Sequence, residues 1–124
     1  MQHLNLNNNY TSGKFAEFIS KVFLTLKGYQ IISSRYSAIR GTCAGEIDII
    51  AKRFHTLVFL EIKKRKTIDL AKQSIFSRQQ NRIYRSAEHF LSTHSKYSNY
   101  DCRFDAICFN KFYYFTHIKN AWGL

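Results

Sequence analysis

GEIDII (Gly45–Ile50) and LVFLEIKKR (Leu57–Arg65), separated by AKRFHT, are two strand-like runs, and their relative register decides the fold and the candidate site. The second run is apolar on both faces until Glu61, the signature of a central strand. Alternation puts Glu61 and Lys63 on one face, roughly 6.5–7 Å apart along it. A hairpin turning through Arg53–Thr56, with Lys52 opposite Leu57, sets Asp48 opposite Glu61 and Glu46 opposite Lys63. All four side chains then share a face, with opposed Cβ atoms only ~4.5–5.5 Å apart. A one-residue slip would scatter them.

Opposed carboxylates on an interior strand repel and are desolvated, so they need a shared proton or a cation between them. A hard divalent cation, Mg²⁺ or Mn²⁺, suits an all-oxygen set of two carboxylates, a backbone carbonyl and water. Such an ion polarises a phosphoryl oxygen and acidifies a bound water, and a neighbouring lysine positions that water. The plainer alternative is cross-strand pairing of alternating charges, Glu46 with Lys63. The apolar context (Ile47, Ile49, Ile50, Leu57 to Leu60, Ile62) weighs against it, because charges in an interior sheet need partners.

Working outward, the Asn-rich residues 1–10 are expected to fray, and residues 11–124 to form a single domain. Thr11 or Ser12 offers an N-cap for a helix to about Lys27. Its apolar stripe is Phe15, Phe18, Ile19, Val22, Phe23 and Leu26, and Gly28 is its stop. Tyr29–Ser33 is a first strand, and Ser37–Ala44 is turn-prone. The hairpin strands are Gly45–Ala51 and Leu57–Lys63, followed by a basic loop over 64–71. A long helix from Lys72 to Ser92 sets Phe76, Ile83, Ala87 and Phe90 against Arg78, Arg82, Arg85 and His89. Arg103–Phe109 and Lys111–His117 form a last hairpin around Asn110. The predicted class is α/β: a mixed sheet flanked by helices, order α-β-β-β-α-β-β.

Nineteen Lys and Arg against eight Asp and Glu give a formal charge of +11 over 124 residues. That imbalance points to a polyanionic partner, with DNA first and an anionic membrane surface a distant second. Lys64, Arg65, Lys66, Arg78, Arg82 and Arg85 are the candidate backbone contacts. Hydrophobic residues at 45% exclude disorder as the main description. No apolar run reaches the ~18 residues that span a bilayer, and the N-terminus lacks a signal-peptide pattern, so a cytoplasmic protein without a membrane partner is expected. Cys43, Cys102 and Cys108 show no zinc spacing and read as reduced thiols. A two-fold homodimer would suit a symmetric DNA substrate, though nothing in the sequence fixes one.

GEIDII, then E-x-K-x-R in FLEIKKR, then Arg103-Phe104-Asp105 resembles, in that order, the YraN-like family of uncharacterised bacterial proteins within the PD-(D/E)xK nuclease superfamily. Glu17, Ser20, Leu24 and Gly28 fall at that family's helix spacing, and the resemblance runs from about Gly13 to Phe109. It implies a restriction-endonuclease-like fold and, by superfamily analogy, Mg²⁺-dependent DNA cleavage, with branched or damaged DNA as candidate substrates. Asp48 and Glu61, with the Ile62 carbonyl, would then hold the metal. Lys63 would orient the attacking water, and Glu17 would approach from the first helix. The residues alone allow Glu17 a solvated pair with Lys21. Arg65 has two readings, a DNA contact or a pair with Glu46, and Arg103 with Asp105 reads as structural.

The chain departs from the family pattern at several positions. Ala16 and Ser20 replace Gly and Ala, the Phe-Gly after Arg65 is absent, and Ile47 precedes Asp48 where the superfamily often has Pro. Gln79 stands where the long helix carries a lysine, with Arg78 or Arg82 as replacement phosphate contacts. That last departure motivates the alternative function, a catalytically weak basic module that binds nucleic acid.

Overall fold

The computed structural model describes the backbone of residues 2–37 and 45–122, and side chains from residue 13. Its elements are α1 (Gln2–Leu26), β1 (Gln30–Tyr36), β2 (Ile47–Arg53), β3 (Thr56–Lys64), α2 (Ile68–Gln73), α3 (Ser77–Thr93), β4 (Asp101–Phe109) and β5 (Phe115–Ile118), with one 3₁₀ turn at Ser95–Tyr97 before β4. The strands form one sheet in the order β1-β2-β3-β4-β5. Only the β3–β4 pairing is parallel, so the sheet is mixed, with β3 at its centre. The α/β class and the flanked mixed sheet are as expected. The turn-prone stretch beyond Ser37, and Cys43 with it, lies outside the described residues; Cys102 and Cys108 are free thiols.

The hairpin register is the predicted one. Lys52 faces Leu57, and the ladder runs from Arg53↔Thr56 to Ile49↔Leu60. The turn reverses through Phe54, whose φ of 54° is left-handed. Isoleucine, valine and phenylalanine suit this pleated, two-sided burial, and each large side chain fully buried there contributes about 1.5–3 kcal/mol. Asn110 makes the last turn with its side chain, which accepts from the Phe112 and Tyr114 amides at 2.8 and 3.1 Å. That turn takes up residues expected to be strand, so β5 starts at Phe115 and not at Lys111.

Three helical expectations need correction. First, α1 begins at Gln2, so Thr11 and Ser12 lie inside it and not at its cap. No glycine or proline before Gly13 ends the helix that the later turns nucleate. Second, α1 is rotated relative to its most apolar stripe. It turns Ala16, Ser20 and Leu24 to the sheet and leaves Phe15, Phe18, Val22 and Leu26 exposed. The small residues let the helix approach closely, and the Ser20 hydroxyl donates to the Ala16 carbonyl at 2.8 Å. Third, the expected long helix is two. Thr67 accepts from the Leu70 amide at 3.1 Å and caps α2, inside the supposed loop. Ser74 donates to the Ala71 carbonyl at 2.7 Å and ends α2, since a serine hydroxyl competes for helix carbonyls. Phe76 is then extended, and its ring is exposed where the wheel placed it in the core.

Each face of the sheet carries one core. α1 covers Ile49, Val58, Leu60, Ile107 and Phe109. α3 covers the other face through Ile83, Ala87 and Phe90, which meet Ile50, Leu57, Phe59 and Phe104. On β4, Asp105 is fully buried yet satisfied. It accepts from Arg103 at 2.8 and 2.9 Å and from the Asn120 amide at 2.9 Å, and it pairs with His117 Nε2 at 2.7 Å. Arg103 also donates to the Tyr29 hydroxyl at 2.8 Å, tying β4 to the segment after α1. This is the structural role the sequence suggested for the pair. Among the described residues no helix is long and apolar enough to cross a membrane.

Candidate active site

The β2–β3 ladder stops one pair short of Asp48. Beyond it the Asp48 carboxylate accepts from the Ile62 amide at 2.7 Å, replacing a backbone rung with a side-chain one. Glu61 follows on β3, with only 4% of its surface exposed. Its Oε1 takes the Gln79 amide at 2.7 Å and the Lys63 ammonium at 3.1 Å. Its Oε2 is buried with no hydrogen-bond partner. Asp48, Glu61 and Lys63 are thus brought together by the two strands, with Gln79 contributed by α3.

The electrostatics follow from that burial. Desolvation raises the Asp48 carboxyl from an ordinary 3.8 to about 6; the Ile62 amide opposes the rise, and Glu46 and Glu17 add to it. Desolvation, then the charge of Asp48, raises Glu61 from 4.5 to about 7, against the pull of Lys63 and Gln79. Two carboxylates that resist ionisation beside each other, one with an orphaned oxygen, are underfilled donors. Their chemistry fits a hard divalent cation, which would supply both the missing charge and the missing partner. Among the described residues no group of three or more His, Cys, Asp or Glu gathers to hold a metal. The side-chain donors are therefore this carboxylate pair, and the Ile62 carbonyl would complete the protein's share.

Glu17 does approach the site. The rotation of α1 that exposes its phenylalanines carries Glu17 inward, leaving its side chain 14% exposed. There it accepts from Arg35 at 3.0 Å and lies 3.9 Å from Lys21, so the i+4 pair suggested by the sequence coexists with a stronger one. Arg35 holds a left-handed φ of 55°, an unusual conformation for a side chain of its size. Nothing in the sequence marked it.

Two clefts open on the acidic centre, and Asp48 and Glu46 line both. The first, about 380 Å³, lies between α1 and the sheet, with Lys14, Arg35 and Lys64 on its walls. The second, about 770 Å³, lies between β2–β3 and α3, with Arg78 and Arg82 on its wall. Glu46 stays exposed at the shared rim and not in a cross-strand pair with Lys63, which turns to Glu61. The remaining basic candidates divide. Lys64 also lies over the Tyr113 ring at 4.8 Å. Arg65 is exposed and donates to the Lys64 carbonyl at 2.8 Å, while Lys66 faces a separate hollow beside Lys111. Arg85 is exposed on α3 but lines neither cleft.

Sequence reasoning missed the clasp that sets the second cleft. The Gly45 amide donates to the Arg82 carbonyl at 3.3 Å, and the Ser86 hydroxyl donates to the Gly45 carbonyl. The glycine opening GEIDII and the serine within the helix were the available signals.

The model of the uncharacterised protein family UPF0102 matches residues 16–109. A UPF0102 protein of Paramagnetospirillum magneticum is 36% identical over 112 residues, covering 90% of this chain and 87% of its own. One of Ehrlichia ruminantium is 39% identical over 112 residues, covering 90% and 84%. One of Parvibaculum lavamentivorans is 34% identical over 113 residues, covering 91% and 82%.

Proposed function

The chain belongs to the UPF0102 family, the YraN family that its motifs resemble, and from that premise we propose that it is a metal-dependent nuclease hydrolysing phosphodiester bonds of DNA. Branched or damaged DNA is the candidate substrate, and the cytoplasm the expected compartment. The observation that carries this reading is the Asp48–Glu61 pair, buried beside Lys63, with Glu61 Oε2 lacking a partner. Such a pair weakens the folded chain unless something binds it, which supports a binding site here.

Asp48, Glu61 and the Ile62 carbonyl would hold Mg²⁺ or Mn²⁺, which when bound would polarise a phosphoryl oxygen and acidify a water. The chain's own residues would do the rest. Lys63, 3.1 Å from Glu61, has donors left to orient a water or to meet charge developing on a phosphate oxygen. Gln79 holds the Glu61 carboxylate in one rotamer. Arg78 and Arg82 would grip the backbone on one side of the cut, and Lys64 on the other, with bidentate geometry favouring the arginines. Glu17 would act through Arg35, fixing it at the mouth of the first cleft. A two-fold dimer, presenting two such sites to a symmetric substrate, is compatible with this scheme.

The test places wild type and Asp48→Ala on duplex, single-stranded and four-way-junction DNA, with Mg²⁺, Mn²⁺ or chelator. Metal-dependent cleavage that disappears in Asp48→Ala and in Lys63→Ala, with binding kept, is the expected result. Gln79 favours a second reading. A neutral amide where the resembled family has a lysine suits a catalytically weak module that binds nucleic acid. That module would bind with a steep dependence on salt and without regard to Mg²⁺, and no metal would produce cleavage.

A further inference from the structure

Phe76, between α2 and α3, is the exposed aromatic that lines the second cleft together with Asp48 and Glu61. Sixteen ring pairings of aromatics and histidines knit the described core and its margins; the Phe76 ring takes part in none and is 67% exposed, as Phe18, Phe54, Phe112 and Tyr114 are also exposed outside them. Phe76 lines that cleft together with Arg78 and Arg82 as well as the two carboxylates. Its backbone is held extended (φ −82°, ψ 158°) between α2 and α3, so the ring is presented by the ends of two helices and not by a loose loop.

We propose that Phe76 is a stacking platform for an unpaired nucleobase, and that the second cleft takes a nucleotide whose base lies on this ring while Arg78 and Arg82 hold its phosphates. The proposal rests on the nucleic-acid reading above and deepens it by naming the substrate class: a strand with at least one unstacked base beside the cut. An exposed aromatic next to guanidinium groups is the combination that binds single strands, because every base has a face to stack and every nucleotide a phosphate to neutralise. The cleft's volume of about 770 Å³ falls within the ~300–1,000 Å³ typical of sites that enclose a small ligand. A continuous duplex keeps its bases inside the stack and offers nothing to this ring.

The two clefts are chemically unequal on this account. Among the described residues the first presents Lys14, Arg35 and Lys64 and no aromatic ring, which suits backbone contact. A strand passing over Asp48 would be held by its phosphates on the α1 side and by its phosphates and one base on the α3 side. Single strands, flaps and the branch points of forks present that arrangement; intact duplex does not.

The test is binding in chelator, so that it needs no cleavage. Full-length wild type, Phe76→Ala and Phe76→Trp are titrated with a 12-nucleotide single strand carrying 2-aminopurine at successive positions, and with the same sequence as duplex. The expected result is quenching at one position with wild type, and about a tenfold loss of single-strand affinity in Phe76→Ala. Duplex affinity and salt slope should stay unchanged, since the ring carries no charge, and Phe76→Trp should restore both affinity and quenching. Unchanged single-strand affinity in Phe76→Ala overturns the proposal. So does an equal loss on duplex and single strand, or a wild type that binds duplex but not the single strand. Cleavage is scored separately in metal: quenching without cleavage would sink the nuclease and leave the platform standing, and cleavage without quenching would do the reverse.

Discussion

Gly45 and Arg82 touch through their backbones: the amide of one donates to the carbonyl of the other at 3.3 Å, and a Cβ on Gly45 would stand 2.9 Å from Arg82 Cβ. No real pair of side chains tolerates that separation, and Arg82 Cβ is fixed to a helix that cannot yield without moving Ile83 and Phe90 in the core. Gly45→Ala should therefore cost about 1–3 kcal/mol, read as a lower urea midpoint. Ser86→Ala, which strips the Gly45 carbonyl of its hydroxyl donor, should cost about 1 kcal/mol. A Gly45→Ala protein as stable as wild type would mean that the clasp is looser than described.

The acidic pair predicts an unusual dependence of stability on pH. Asp48 and Glu61 titrate near 6 and 7 when folded, against 3.8 and 4.5 otherwise. Between those limits the folded chain binds more protons than the unfolded one, so stability from these groups is full below about pH 4 and is lost as pH rises through 6 and 7. Urea midpoints in chelator should fall from pH 5 to pH 8. Glu61→Gln, which keeps the shape and drops the charge, should remove most of the fall and exceed wild type at pH 8 by about 1–3 kcal/mol. A wild-type midpoint flat over that range would contradict the burial of the pair.

Divalent cations should act in the opposite direction. At pH 8, where both carboxylates are ionised, Mg²⁺ or Mn²⁺ at a hundred times its dissociation constant should raise stability by about 2.7 kcal/mol. The gain should shrink toward pH 5, as protons compete for the same oxygens, and vanish in Asp48→Ala. Thermal melts over a grid of metal and pH check this without reference to any substrate.

Asp105 should behave unlike either site carboxylate. Burial alone would raise it, but bonds from His117, Arg103 and the Asn120 amide hold it below its ordinary value. Its contribution is present above the unfolded carboxylate range and is lost only as pH falls below it. Asp105→Ala strands Arg103 and His117 and should cost about 3–5 kcal/mol, where Asp48→Ala costs little or stabilises. If the two variants melted together, the division between a structural and a functional carboxylate would fail.

The acidic centre was legible because it depends on counting. Period-two alternation and a two-residue turn at Phe54 and His55 fix which side chains oppose, and Asp48, Glu61 and Lys63 fell where the count put them. The flanks were less legible for a physical reason. Helix faces were judged by apolarity, but α1 docks on Ala16 and Ser20 because closeness to the sheet outweighs side-chain size, and so Glu17 turns inward and Phe18 outward. The break at Ser74–Phe76 depends on hydroxyl groups competing for backbone carbonyls, which no periodicity reports. Arg35 and Glu17 meet across the α1–β1 connection, and only the packed structure brings them together.

The parallel pairing of β3 with β4, from Thr56↔Asp101 to Lys64↔Phe109, has a consequence for synthesis. A ribosome delivers Asp48, Glu61 and the arginines of α3 well before the strand that closes the sheet beside them. Until Asp101–Phe109 emerges, β3 is an open edge with a hydrophobic face, and Gln79 and Arg82 hang on a crossover with nothing to anchor its return. The nascent chain thus carries every charged group of the site before the crossover through α3 is anchored, and competence arrives only when Asp101–Phe109 has paired with β3.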